Sequence, residues 1–317
     1  MTLKYNRKFR MLLLTFCVIL SGSLWGLNMT VAKFATMDGA HPFAVTFWQC
    51  LIAALGLSVL AYITKERFRL TRKLFFVAAL SGIVGLAIPN ALFILAVVHL
   101  PVGVLSIIIS VVPLLTLIFS ISMRIDNYSG AKALGLTLGL ISVLFVIVPQ
   151  FSLSGSLNML WLFVALLASV GYAVSNTLLG VYLPDSKAPL SIASGLFFAA
   201  ALSILPAMLI TNSFFLITLP LDRSEWAIIL LGIFILIAHA LYVQVIKYAG
   251  PVFASLATFV VAISGVFWGI LILDEQHSNW IWSALILMLF SLVLVRPKNN
   301  KPAEPDDRSS AMVISER

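Results

Sequence analysis

His239 is the residue whose type and position point most directly to chemistry. It sits in Ile237-Ala238-His239-Ala240-Leu241-Tyr242, part of the apolar run Trp226 to Tyr248, about thirteen residues from that run's start, or roughly 20 Å into about 30 Å of hydrocarbon if the run crosses a membrane. An imidazole exchanges a proton near neutral pH, so His239 is a candidate for coupling or for substrate binding. A neutral histidine hydrogen-bonded between helices is the competing reading. A second device recurs along the chain. Trp25 and Asn28 are three residues apart and share a helix face, with Ser21 four residues before. Tyr172 stands with Ser175 and Asn176, and His239 with Tyr242. An aromatic plate beside a hydrogen-bonding group suits a small, partly apolar solute in a largely uncharged cavity. Ordinary helix packing is the alternative, but Trp25 and Tyr172 lie too deep for an interfacial belt. Trp48, Gln49, Asn90 and Trp268 complete the substrate-binding candidates. Pro89 and Pro113 fall inside apolar runs and are hinge candidates, because proline removes a backbone hydrogen bond and kinks a helix. Pro206 reads as static packing.

No CxxC, HExxH, phosphate-binding glycine loop or GxSxG occurs, so neither a metal site nor a cofactor is expected. Cys17 and Cys50 lie within apolar runs and are no disulfide framework. The four histidines are scattered and most acids sit between runs or in the tail. That speaks against a membrane-embedded enzyme, which needs such groups clustered.

The elements that must position these residues follow from composition. Of 317 residues 61% are hydrophobic and only 10% charged, with mean hydropathy +1.09. A soluble fold cannot cover its surface with so few charges, which excludes a soluble enzyme, a nucleic-acid-binding domain and a disordered chain. Long continuous apolar runs exclude a β-barrel. The expected fold is an all-α polytopic membrane protein in a lipid bilayer.

Ten spans are expected: Met11 to Lys33, Pro42 to Thr64, Leu74 to Val98, Pro101 to Met123, Ala131 to Val148, Leu157 to Leu179, Pro189 to Ile210, Trp226 to Tyr248, Pro251 to Leu273 and Trp280 to Val295. With the basic residues 1–10 in the cytoplasm, cytoplasmic segments hold 18 of the 20 Lys+Arg; the other side holds only Lys33 and Arg223. This split supports the span count and places both termini inside as the expected orientation. Lys33 and Lys247, at span ends, are expected to snorkel to the interface. Asp126 and Glu275, at the membrane borders, are expected to be solvated or near basic loop residues. The polar tail 296–317 is expected to be disordered. The first 23 residues also resemble a signal peptide, but the apolar run continues to Val31, which suits a span better.

The halves 11–148 and 149–295 repeat. Pro42 matches Pro189 at an offset of 147. Ala91-Leu92-Phe93 matches Ala240-Leu241-Tyr242 at 149, and Asp126 falls on Glu275 at the same offset. Five is odd, so two five-helix repeats enter the membrane from opposite sides. Inverted repeats of this kind place a substrate site near the midplane.

Leu24-Trp25-Gly26-Leu27-Asn28, Pro113 thirteen residues before Asp126, the glycine-containing fifth span and Asp274-Glu275 after the ninth together resemble the EamA family of the drug/metabolite transporter superfamily. The resemblance covers residues 11 to 295. Phe47-Trp48-Gln49 stands where members often have Phe-Trp-Arg, and Ala262 where Pro is common. The resemblance implies export, sometimes uptake, of a small metabolite, and a bacterial inner membrane. Without an ATP-binding motif, transport would be facilitated or driven by protons, an ion or a counter-substrate. No buried cation awaits an anion, so a neutral or zwitterionic solute such as an amino acid is expected; an importer of a metabolite or vitamin is the alternative. Gly135-x-x-x-Gly139 permits a close helix contact, within a monomer or across a dimer. The monomer is expected.

Overall fold

Proline and histidine mark several helix starts. Pro42 opens α2 (Pro42–Ile63), and the His41 side chain accepts a hydrogen bond from Phe43 N at 3.3 Å. Pro189 opens α9 (Pro189–Ile210), whose exposed N–H groups at Leu190 and Ser191 are taken up by the Glu66 carboxylate at 3.3 and 3.0 Å. Proline at the first turn loses nothing, since its N–H would be unpaired there. In the computed structural model, which describes residues 7–66, 72–124, 129–153, 156–182, 188–249, 254 and 256–295, the remaining elements follow the apolar runs. They are α1 (Arg7–Met37), α3 (Arg72–Gly82), α4 (Ile88–His99), α5 (Val102–Ile109), α6 (Val112–Ser122), α7 (Gly130–Leu153), α8 (Ser156–Tyr182), α10 (Arg223–Ala249), α11 (Ala257–Leu273) and α12 (Asn279–Val295). Among the described residues there is no strand. Among the described residues, seven helices are long and apolar enough to cross a membrane and three more apolar helices are shorter.

Two expected spans differ from simple rods. The third is α3 and α4 joined by a π-helical turn, Ile83–Ala87, where Ile88 N donates to Ile83 O. Pro89 follows at once, and the wider turn absorbs its missing donor. The fourth breaks between α5 and α6 at Ser110–Val111, just before Pro113. Hydrogen bonds there tighten to three-residue spacing, Ser110 N to Ile107 O and Val111 N to Ile108 O. Pro206 lies inside α9, which runs on unbroken. The start of the ninth span at Pro251, Asp126, residues 1–6 and the tail 296–317 lie outside the described residues.

The helices pack in repeat-related pairs. α1 packs on α10 and α11, while its counterpart α8 packs on α4 and α6. α2 packs on α9, and α7 on α12. Small residues allow the close approaches, as expected between helices in lipid. At Gly22 a Cβ would lie 2.6 Å from the Ala257 carbonyl oxygen, and at Gly26 one would lie 2.8 Å from Gly265 N. Gly139 of the small-xxx-small pattern faces Leu114 and Ser291, and Ser291 Oγ donates to the Gly135 carbonyl at 2.6 Å. The pattern therefore serves α7–α12 packing inside one chain. Large apolar side chains such as Leu12, Phe16, Phe76, Leu202 and Phe290 point outward, as a lipid-facing surface requires.

Candidate functional site

Between these pairs lies a cavity of about 230 Å³. That is below the roughly 300–1,000 Å³ of drug-sized pockets, so it suits a small solute. Trp25 and Asn28 of α1, Gln49 of α2, Asn90 of α4, Tyr172 and Asn176 of α8, and His239 and Tyr242 of α10 all line it. Ser175, Phe93, Phe197 and Thr258 join them. None of the lining residues is Asp, Glu, Lys or Arg.

The lining obeys the repeat. Eleven pairs of lining residues are related by the offsets of 147 or 149, among them Trp25 with Tyr172, Asn90 with His239 and Phe93 with Tyr242. The cavity is thus built by equivalent positions of both halves. The contacts are paired as well. Trp25 meets His239 edge-on, with ring centroids 5.2 Å apart, and Tyr172 donates its hydroxyl hydrogen to Asn90 Oδ1. Each half thus supplies an aromatic ring to the other half's polar residue. The pairing was accessible to sequence reasoning through the repeat register, which also brings Asn90 onto His239.

The polar groups are held by backbone. Asn28 Nδ2 donates to the Leu231 carbonyl at 3.1 Å, which leaves Oδ1 as an acceptor. His239 Nδ1 lies 3.2 Å from the Ile235 carbonyl. A carbonyl only accepts, so Nδ1 carries the hydrogen and the neutral ring keeps Nε2 as an acceptor. Trp25, Phe197 and the neighbouring Tyr242 fix the position of that ring; Phe197 lies 4.7 Å away, edge-on, and Tyr242 lies 5.1 Å from Trp25. Gln49 is buried, and its Oε1 has no partner in the protein. A buried unpaired acceptor is costly unless something donates to it.

Two expected residues do not line the cavity. Trp48 turns the other way, donates its Nε1 hydrogen to the Phe215 carbonyl at 3.2 Å and packs on Phe47 and Phe215. Trp268, on α11, packs against Phe267. Ser21 also faces elsewhere, bonding back to the Cys17 carbonyl at 2.7 Å. Pro89 and Pro113 sit at the π turn and the α5–α6 break, next to the lining residues Asn90 and Val112.

Two border residues need correction. Lys33 does not snorkel away: its Nζ donates to the Leu100 carbonyl at 2.9 Å. Glu275 does lie near basic residues, with Lys33 Nζ 3.9 Å and His277 Nε2 3.5 Å away, but it is not solvated: its side chain is 10% exposed and its oxygens accept from Val102 N and Gly103 N. Unpaired donors at a helix start attract a carboxylate, a pull that loop position in the sequence does not reveal.

An all-helical membrane protein of two helical repeats enclosing one uncharged, aromatic- and amide-lined cavity is the class that the fold and the site define. The EamA-like transporter family matches the chain twice, at residues 12–148 and 159–296, and the chain belongs to that family. The two matches coincide with the two repeats. Among curated proteins none matches. A protein crystal structure resembles this one with a TM-score of 0.64 at 16% identity, over 89% of this chain and 96% of the other; at that identity the likeness concerns the fold alone. The family makes this a multi-pass membrane transporter of the drug/metabolite type.

Proposed function

We propose that this protein is a secondary transporter that exports a small neutral or zwitterionic metabolite, such as an amino acid, across a bacterial inner membrane. The observation that carries this reading is the cavity: it is lined by aromatic rings and amides, has no charged side chain, and is shared by both repeats. A fixed charge would favour a counter-ion; uncharged donors and acceptors favour a solute of no net charge. The ten spans form two inverted five-helix repeats with both termini in the cytoplasm, as the charge split of the sequence favours. Alternating access then follows from exchanging which repeat's end is closed.

In this reading Trp25, Tyr172 and Tyr242 stack on the apolar part of the solute. Asn28, Gln49, Asn90 and Asn176 hold its polar part. His239 Nε2 accepts a hydrogen bond from the solute or takes a coupling proton. Pro89 and Pro113 mark the hinges. The protein acts as a monomer.

The test compares metabolites inside and outside cells overproducing the native chain with cells producing the His239→Ala variant at equal level, across an imposed pH gradient. A neutral or zwitterionic compound enriched outside only with the native chain supports export through this site. Enrichment inside would reverse the direction. Unchanged pH-gradient dependence in the variant would remove His239 from coupling.

A further inference from the structure

A carboxylate ties together the two halves of the bundle at one end. The chain leaves α11 at Asp274, whose φ of 52° is left-handed, and turns Glu275 back toward the start of α5. Val102 N donates to Glu275 Oε1 at 2.6 Å and Gly103 N to Oε2 at 3.0 Å. These are donors that a helix start leaves without partners inside the helix, and negative charge is favoured there. Two glycines make the fit possible. A Cβ on Gly269 would stand 2.6 Å from Glu275 Oε2, and one on Gly103 would strike the His277 imidazole. Lys33 on α1 completes the contact: its Nζ holds the Leu100 carbonyl and lies 3.9 Å from Glu275 Oε1. His277 Nε2 lies 3.5 Å from Oε2. Leu100 and Val102, which flank the contact, are buried.

The contact crosses from one half of the cavity wall to the other. α1 and α11 lie on one side; the corner between α4 and α5 lies on the other. α5 packs on α11, whereas α6, past the break at Ser110–Val111, packs mainly on α8. The fourth span thus has one half attached across the cavity and one half attached to its own side.

Building on transport by alternating access as proposed above, we infer that Glu275, with Lys33 as its counter-ion, is the latch of the outer gate. Release of the carboxylate from the α5 N-terminus frees α5 to swing away from α11 about the Ser110–Val111 break. The solute then leaves past Ala32, the last α1 residue of the cavity wall before Lys33. Glu275 would thereby take part in transport without touching the solute.

The experiment uses the full chain with Cys17→Ser, Cys50→Ala and a single reporter, Ala32→Cys. Right-side-out and inverted vesicles are treated with a membrane-impermeant maleimide. From outside, the reporter with Glu275 intact reacts slowly. Glu275→Gln loses the charge-assisted bonds and the reporter should react about tenfold faster from outside, with no acceleration from inside. Lys33→Met, which leaves the α5 start capped, should accelerate it by a smaller factor and keeps the question decidable if Glu275→Gln does not assemble. Native rates in both variants would overturn the latch, as would acceleration only in inverted vesicles. The labelling needs no substrate, so a wrong assignment of the solute would leave this result standing.

Discussion

Replacing Gly22 with alanine tests how α1, the carrier of Trp25 and Asn28, is seated. The new Cβ would lie 2.6 Å from the Ala257 carbonyl oxygen and 2.6 Å from Val260 Cβ. Ordinary contact begins near 3.4 Å, so α1 and α11 must separate by the better part of an ångström, and neither obstacle is the far end of a flexible side chain. Overpacking of this kind costs about 1–3 kcal/mol, and two simultaneous contacts put it in the upper part of that range. Alanine returns about 1 kcal/mol of helix propensity. The net loss is about 1–2 kcal/mol, a fall of roughly 1.5–3 °C in Tm at an unfolding entropy of about 2.1 cal/mol/K per residue. Gly195→Ala is the matched control, because it also lies inside a helix, α9, but its Cβ would meet only Ala78 Cβ at 3.9 Å. It gains the propensity without the clash, so its Tm should stay level or rise. Thermal unfolding of the two purified variants in one detergent decides the matter. A Gly22→Ala protein as stable as Gly195→Ala would refute the reasoning. Because Trp25 rides on the displaced helix, Gly22→Ala should also weaken apparent solute affinity, and Gly195→Ala should not.

Other outcomes follow from single contacts. Tyr172→Phe deprives Asn90 Oδ1 of its donor and should raise the apparent KM for export about tenfold, whereas Trp48→Phe, outside the cavity, should lower Tm and leave KM unchanged. Removing both Ser142 and Ser291 hydroxyls, which donate to the Ala284 and Gly135 carbonyls at 2.7 and 2.6 Å, should cost about 1–3 kcal/mol by thermal unfolding, at roughly 0.6–1.7 kcal/mol for each bond. Burial pushes the His277 imidazole below its ordinary value, and the Glu275 carboxylate opposes that shift without overcoming it. The fold therefore favours the neutral ring: its contribution is fully present above the ordinary histidine value of about 6.5 and is lost as pH falls through the lowered one. His277→Gln should flatten the acid side of a Tm-against-pH curve as pH falls below the ordinary histidine value of about 6.5; an unchanged slope would assign that acid sensitivity to other groups.

The spans were legible because each apolar run is long and its breaks carry Pro, Gly or basic clusters. The repeat was legible as a register, and the family match falls on the same two halves. Most of the cavity wall was legible for a related reason: aromatic and polar residues three apart, as at Trp25 and Asn28, share a helix face. What sequence could not supply was the direction of that face. Trp48 and Gln49 are adjacent and point about 100° apart; Gln49 faces the cavity and Trp48 does not, and the composition does not say which. The π turn and the α5–α6 break also escaped, since Pro89 and Pro113 announce a disturbance without its form. The nearness of Glu275 to basic residues was legible, but the backbone partners of Lys33 and Glu275 were not, because the Leu100 carbonyl and the Val102 and Gly103 amides are groups of a distant corner. Side-chain types in a sequence do not display such groups.

The proposed transport depends most on the cavity being the path of a solute without net charge. Counterflow into proteoliposomes, with each of a panel of labelled neutral and zwitterionic amino acids trapped against an external excess, tests this directly for the native chain and for Trp25→Ala. The native chain should show saturable counterflow of at least one such compound, and the variant a clearly raised half-saturation concentration. Saturable counterflow confined to anionic compounds, or native affinity retained in Trp25→Ala, would contradict the proposed transport.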